Sequence, residues 1–481
     1  MKIKFKRKGN QLIENINLKV IFIIVGIVST IFLISQGMVR NGLEYIFMLP
    51  LTFSLCVLAF GDIIDYHNGG VGLKVFYSVI VIRYIISPVL IVLTEGAKNP
   101  HMIDVSSNSN RLSVIIISCE LVIACLTIKL SWKKCLAKAK KTNIKYKRNI
   151  KGLSIWGVIF IGLLGGFILL RANRFFPSMG ILFIKEPSAD LGSFEAIFIR
   201  CFKSLLFVLT LIWVKNTRKK SDMIFYNALV FLAVFFNIAI YFGSNRSFIL
   251  QTAITTIFIY LAAFPNKKKI AIIFLVPISI IIVSTMFVKK QFGVELSSYS
   301  EANVSISEVS NIAESYTNGI WPMASILDAS TQLRSEVTLG TPIKDTVMGF
   351  FPTYIPGLSW IRDCVSSLKS TPDIYMDYLY PWNRGAMVTL SGQMWMYGGK
   401  YFGWILAIIA NIVMVYLLVR VETLGREVED LKYKYLYVWL SSLFGLIMCY
   451  CAITILWCWS QFGLFYHLLL KVNDSRFIRK R

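Results

Sequence analysis

Apolar runs of about twenty residues recur along almost the whole chain, each long enough to cross ~30 Å of hydrocarbon as a helix. In lipid every backbone N–H and C=O needs a partner within the protein, so only helices and closed barrels span a bilayer. The pattern therefore predicts an all-α polytopic membrane protein. The runs place spans at about 19–36, 43–60, 72–94, 112–131, 153–170, 196–214, 223–242, 247–264, 270–288, 401–420, 435–455 and 458–471. Between 436 and 471 two short spans have little between them, and one tilted helix plus a re-entrant piece is the competing reading.

The formal charge of +25 raises nucleic acid as a partner, but its placement excludes that class. A nucleic-acid reader carries a basic face on a folded soluble domain, whereas here Lys and Arg gather in short loops between apolar runs, as the positive-inside rule describes. With the N-terminus inside, 133–151, 215–220, 267–269, 420–434 and 476–481 all fall on the cytoplasmic side. The same parity puts 289–400 outside. Three units follow: a membrane bundle over 1–288, an extracytoplasmic segment over 289–400, and C-terminal membrane helices with a basic tail over 401–481. The first run follows Lys2, Lys4, Lys6, Arg7 and Lys8 like a signal peptide, but lacks a small-residue cleavage site and reads as an uncleaved helix. Nine cysteines lie mostly in or beside spans and form neither a disulfide framework nor a metal-site spacing.

The segment 289–400 is too long and too polar to be a connector. Between Glu301 and Thr317 it is Ser- and Glu-rich, with Val304, Val309, Ile312 and Tyr316 at mostly helical spacing. Trp360, Ile361, Cys364, Val365 and Leu368 also share a helical face. That helix either lies in the membrane interface or caps the bundle as an ordinary amphipathic helix.

Charge inside a span needs a reason. Arg83 is central in "VIVIRYIISPVL", one turn before Pro88, and Glu120 is central in "IISCELVIAC". They either pair as a structural ion pair or line a functional, water-filled cavity. Arginines at the outer ends of spans are not explained by topology: Arg171 and Arg174, Arg200, Arg246 in "YFGSNRSFIL", and Arg334, Arg362 and Arg384 beyond them. Singly, each suits a lipid headgroup as well as a substrate. As a group they suit the two-point binding of phosphate oxygens in a lipid diphosphate. At Arg246 the turn also offers backbone N–H groups at a helix start, an anion cradle or simply a capped helix with Ser244 or Asn245 as N-cap. The histidines His67, His101 and His467 give no catalytic constellation, and no P-loop or dinucleotide fingerprint stands out.

Four stretches, in this order, resemble the Wzy-type oligosaccharide repeat-unit polymerases of bacterial O-antigen and capsule assembly. "RYIISPVL" is similar to the family's Arg-to-Pro stretch in the third span, and "GSNRSFIL" to its Ser-Arg turn after the seventh. "FPTYIPGLSW" resembles the Ile-Pro segment of the outer loop, and "LSGQMWMYGGKYFGWI" the closing motif. In one respect the chain departs: where the closing motif commonly carries a carboxylate after the Gly, it has Gln393, which retains hydrogen bonding to a sugar but not a base role. The resemblance implies a membrane glycosyltransferase (GT-C-like) fold in a bacterial plasma membrane. It implies transfer of a growing glycan from polyprenyl diphosphate onto a sugar hydroxyl of the next lipid-linked unit, with no metal or other cofactor. Membrane lipids and other assembly proteins, such as a flippase and a chain-length regulator, are the implied partners. The step needs charge stabilisation on the departing diphosphate, ~3–4 kcal/mol per well-placed donor, and a group to position or deprotonate the hydroxyl. Arg246 with Arg171, Arg174 and Arg384 are the expected diphosphate residues, with Arg83 and Arg334 further substrate contacts. Asp377, Asp373 and Glu120 are candidate bases, and Tyr375, Tyr378, Tyr380 and Trp382 suit sugar stacking.

A flippase or other transporter of lipid-linked glycan is the main alternative class, against which stands the absence of two repeated halves. An O-antigen-ligase-type transferase shares the chemistry but usually depends on an outer-loop histidine, which 289–400 lacks.

Overall fold

The computed structural model describes residues 2–36, 42–61, 70–94, 103–147, 165, 193–217, 223–240, 246–277, 279–280, 306–351, 359–380 and 387–474. Among them 87% are helical and none is in a strand. The principal helices are α1 (Lys2–Ser35), α2 (Met48–Phe60), α3 (Val71–Leu93), α4 (Ser107–Lys147), α5 (Ser193–Thr217), α6 (Met223–Ala239) and α7 (Arg246–Ala263). In the polar segment lie α8 (Ile306–Tyr316), α9 (Ile320–Gln332), α10 (Gly340–Phe350) and α11 (Thr371–Leu379). The chain closes with α12 (Leu390–Glu427), α13 (Leu431–Gly445) and α14 (Ala452–Lys471). Six helices are long and apolar enough to cross a membrane: α1, α3, α4, α5, α12 and α14, with α2, α6 and α7 shorter apolar helices. The protein is a helical membrane protein. The expected span at 153–170, but for residue 165, and residues 278 and 281–288 of the span expected at 270–288 lie outside the described residues.

Lipid contact is written on the helix surfaces. Ile21, Ile24, Val28, Ile31 and Ile34 run exposed along α1, and Phe402, Ile405, Ile409 and Ile412 along α12. These three- and four-residue spacings form one stripe per helix, while the opposite face of α12 (Ala407, Asn411, Met414, Val415, Leu418) packs on α4. The bundle centre is α13, which touches α3, α5, α7 and α12. Its approach to α3 depends on small residues: a Cβ at Gly72 would fall 2.3 Å from Ser441 O, and one at Gly445 2.5 Å from Gly72 O.

The closing pair of expected spans is an antiparallel hairpin. Trp439 meets Phe462 at 4.4 Å between ring centroids, and one turn nearer the start of α13 Tyr435 stacks on Tyr466 at 5.6 Å. The turn that joins them, Leu446 to Cys451, is buried throughout. At fifteen residues α13 is only ~22 Å long, shorter than the ~30 Å core it would cross.

The polar segment is docked on the bundle rather than tethered to it. Asp328 of α9 closes the start of α4: its carboxylate accepts from Ser106 N (2.7 Å), Ser106 Oγ (2.8 Å) and Ser109 Oγ (2.6 Å). A carboxylate there satisfies N-terminal N–H groups and complements the helix dipole. α10 lies on α14, where Ser460 Oγ donates to Gly349 O at 3.0 Å and Gly349 admits Leu456. The two predicted amphipathic stretches fare differently. The first is helical as α8, with its faces reversed: Ser310, Asn311 and Glu314 are buried, while Ile306, Val309 and Tyr316 are exposed alongside Glu308 and Ser315. The second is one helical turn, Ser359–Asp363, followed by turns, with Trp360 exposed; local bonds such as Val365 N to Arg362 O end the helix there.

Candidate active site

Three elements converge on one carboxylate. α10 carries Thr341, Asp345 and Gly349 on a single buried face. Asp345 Oδ1 accepts from Thr371 N at 2.9 Å and Oδ2 from Thr371 Oγ1 at 2.5 Å, so Asp345 also caps the first turn of α11. The same Oδ2 accepts from Tyr397 OH and, at 3.2 Å, from Gln393 Nε2, both on the first two turns of α12. Tyr397 OH lies 2.6 Å from Gln393 Nε2. Burial pushes the Asp345 carboxyl above its ordinary 3.8, partly offset by these hydrogen bonds. Gln393 faces two ways: its Oε1 accepts from Ala452 N at 2.9 Å, at the mouth of the buried hairpin turn. The start of α12 is held by Thr389, whose hydroxyl accepts from Gly392 N at 2.8 Å.

The other side of the same turn carries a second polar cluster. Asn318 Nδ2 donates to Cys449 O. Asn318 takes a left-handed conformation (φ 49°) that ends α8, with Gly319 N bonded back to Glu314 O at 2.8 Å. α8 itself packs on α3. Arg83 sits in a π-helical turn of α3, Ile82–Ile86, one turn before Pro88; such turns recur at functional sites. Its Nη1 is 2.8 Å from Glu120 Oε2, with 1% and 5% side-chain exposure, so the ion pair, one of the two readings the sequence leaves open, is present. Beyond that contact, Nε and Nη2 of Arg83 lie buried with no hydrogen-bond partner among the described residues. Next to them Tyr84 OH donates to Ile117 O at 2.5 Å, pinning α3 to α4.

The turn between α13 and α14 is therefore bonded by Gln393 of the carboxylate cluster on one flank, and on the other by Asn318, which ends the helix packed on the turn that holds Arg83. Such a set can accept a proton and hold an anion.

No family model, curated protein or solved structure matches the chain.

The remaining expected residues that are described are dispersed. Lys369 Nζ bonds both Asp377 Oδ2 and Glu336 Oε2 at 2.8 Å in an exposed cluster, away from the turn's contacts. Asp373 forms the capping box of α11 with Ser370. Although burial works upward, the bonds from Ser370 and the nearby Lys344 bring the Asp373 carboxyl below its usual range. Arg334 donates from Nη1 to Met396 O at 2.5 Å and from Nη2 to Tyr397 O at 3.5 Å. There it covers carbonyls freed by a kink at Gly399 (φ 63°, ψ −161°). Tyr375 is core, its hydroxyl 2.6 Å from Ser325 Oγ, and Tyr380 is exposed at the end of α11. Arg200 bonds Gln461 Oε1 at 2.8 Å and stacks on Phe248. Arg171, Arg174, Arg384 and Trp382 lie outside the described residues. α7 begins at Arg246, whose side chain is outside the description. Among the described residues no three His, Cys, Asp or Glu are grouped to hold a metal.

Asp345 is the residue that sequence reading passes over. Its signal is modest: an Asp four residues from Thr341 and from Gly349, on the small-residue stripe by which α10 packs.

Proposed function

We propose that this chain is a bacterial plasma-membrane polysaccharide polymerase of the Wzy type, with a twelve-span GT-C-like bundle and both termini cytoplasmic. One observation carries the reading. Gln393, at the motif position where the family commonly has a carboxylate, is hydrogen-bonded at 3.2 Å to the buried carboxylate of Asp345. The acid missing from the motif is supplied by a neighbouring helix.

In this mechanism the acceptor sugar hydroxyl approaches Asp345, which takes its proton as the new C–O bond forms at the donor's anomeric carbon. The anomeric carbon–phosphate oxygen bond breaks, and its electron pair leaves with the polyprenyl diphosphate. A carboxylate with a raised pKa is closer to the acceptor's range and so a better base near neutral pH. Tyr397 and Gln393 hold its geometry. Guanidinium groups stabilise the departing charge: Arg83, with unpaired donors, and from the resemblance Arg246, Arg171, Arg174 and Arg384. A flippase and a chain-length regulator are the partners this role requires.

A transporter of lipid-linked glycan is the second reading, favoured by the buried irregular backbone at 446–451, which in membrane proteins commonly lines a substrate path. A gel ladder of surface glycan from cells carrying Asp345→Asn, with protein level and membrane insertion checked, separates the readings. Collapse to a single repeat unit with precursor persisting outside supports polymerisation. Unaltered long polymer removes Asp345 from the chemistry. Precursor trapped inside turns the assignment to transport. A full ladder that is no longer attached to its final acceptor points to ligase-type transfer.

A further inference from the structure

An amphipathic helix at the edge of a soluble protein buries its apolar face; α8 does the reverse. Ser310, Asn311, Glu314, Thr317 and Asn318 are 2, 7, 0, 5 and 1% exposed, while Ile306, Val309 and Tyr316 are 65, 44 and 38% exposed. An outward face of these apolar residues, shared with Glu308 and Ser315, suits the membrane interface, so α8 is a wall between the bilayer and a polar interior. Its buried face packs on α3, including the π-helical turn that holds Arg83. Several of the buried groups have no hydrogen-bond partner among the described residues: Ser310 Oγ, Asn311 Oδ1, Asn318 Oδ1 and, besides the nitrogen paired with Glu120, Nε and Nη2 of Arg83. Native proteins rarely leave such groups unpaired without a ligand or water to complete them.

The chemistry of those atoms selects among ligands. Asn318 Nδ2 is taken by Cys449 O, which leaves its Oδ1 as the free end of the amide. Asn318 Oδ1 and Asn311 Oδ1 accept only, and so require a ligand that donates. A diphosphate, acceptor-only when ionised, cannot serve them; sugar hydroxyls both donate and accept and can satisfy these oxygens and the Ser310 hydroxyl together. We propose that the inner face of α8 is a subsite for the sugar portion of a lipid-linked saccharide, reached when α8 separates from α3. This rests on the polymerase reading for the identity of the ligand. The exposed apolar face of α8 then lies beside the lipid tail of the same molecule.

The test is thermal-shift titration of the full chain in nanodiscs with two probes, the lipid-linked saccharide fraction extracted from host membranes and sugar-free polyprenyl diphosphate. The protein compared with wild type is Ser310→Ala/Asn311→Leu, which removes two unpaired polar groups. It is expected to melt higher without ligand and to bind the saccharide probe about tenfold more weakly, the scale of one or two lost hydrogen bonds. Affinity for polyprenyl diphosphate should be unchanged. If the variant melts higher and binds both probes as wild type does, the groups are merely hydrated and the subsite is rejected while the polymerase reading stands. Equal loss of both probes also rejects a sugar subsite. If wild type binds neither probe, the polymerase reading falls and the subsite with it. Should the double variant fail to insert, Ser310→Ala alone is read by the same criteria.

Discussion

Gln393 donates to Asp345 across 3.2 Å, and through that bond the first turn of α12 is tied to the middle of α10. Its other end accepts from Ala452 N, so one side chain serves a carboxylate and a helix start at once. Gln393→Glu removes both the donor and the neutral spacer, leaving two carboxylates at hydrogen-bond distance with one proton to share. Polymer formation should fall by ~10²–10³-fold, the range for a displaced acid–base group. The exchange Asp345→Asn/Gln393→Glu moves the acid to the motif position and should recover part of that loss. Rates of glycan extension in membrane vesicles measure both, and a double exchange no better than either single one removes this pair from the chemistry.

Asp345 predicts opposite pH trends for stability and rate. A carboxyl whose pKa is raised in the folded state contributes its full stability below the unfolded value, here 3.8. That contribution is lost as pH rises through the higher folded value. Melting temperature should therefore decline with pH from about 4 upward through this window, while polymerisation rises as the base ionises. In Asp345→Asn the Asp345-dependent slope of the melting curve should vanish along with the rate. Scanning fluorimetry across pH on both proteins reads the first effect directly.

The ion pair of Arg83 and Glu120 allows structure and binding to be separated. Removing one member, as in Glu120→Gln or Arg83→Leu, leaves an unpaired buried charge or loses the pair, at about 3–5 kcal/mol. Replacing both by Met and Leu should restore most of that stability. If Arg83 also holds substrate, the stable double variant remains inactive in the ladder assay; normal polymer from it would limit the pair to a structural role.

Gly399 adopts φ 63° and ψ −161°, a region open to glycine alone in practice. A Cβ there would also stand 3.3 Å from the Arg334 guanidinium. Gly399→Ala should destabilise by about 1–3 kcal/mol and loosen the register of Gln393 and Tyr397 against Asp345. A fall in melting temperature accompanied by lost polymer length is the expected pair of results. An unshifted melting temperature would mean that the kink is not held as described.

The sequence carries the membrane architecture because hydrophobic periodicity and length report it directly: α1, α3, α4 and α12 lie where the apolar runs lie. The pairing of Arg83 with Glu120 was legible because a lone charge in a span demands a partner. Neither the reversed face of α8 nor the role of Asp345 could be read the same way. Both depend on what a distant element presents, α3 in one case and Gln393 with Tyr397 in the other. Asp377 and Asp373 stand as candidate bases on the resemblance, but their neighbours in space are Lys369 and the start of their own helix.

The turn between α13 and α14 has its free backbone groups met by the side chains of Asn318 and Gln393. A substitution at either amide therefore reaches the hairpin's backbone as well as the neighbouring polar cluster, so a change meant to alter the proposed site is read cleanly only beside these two positions and not at them.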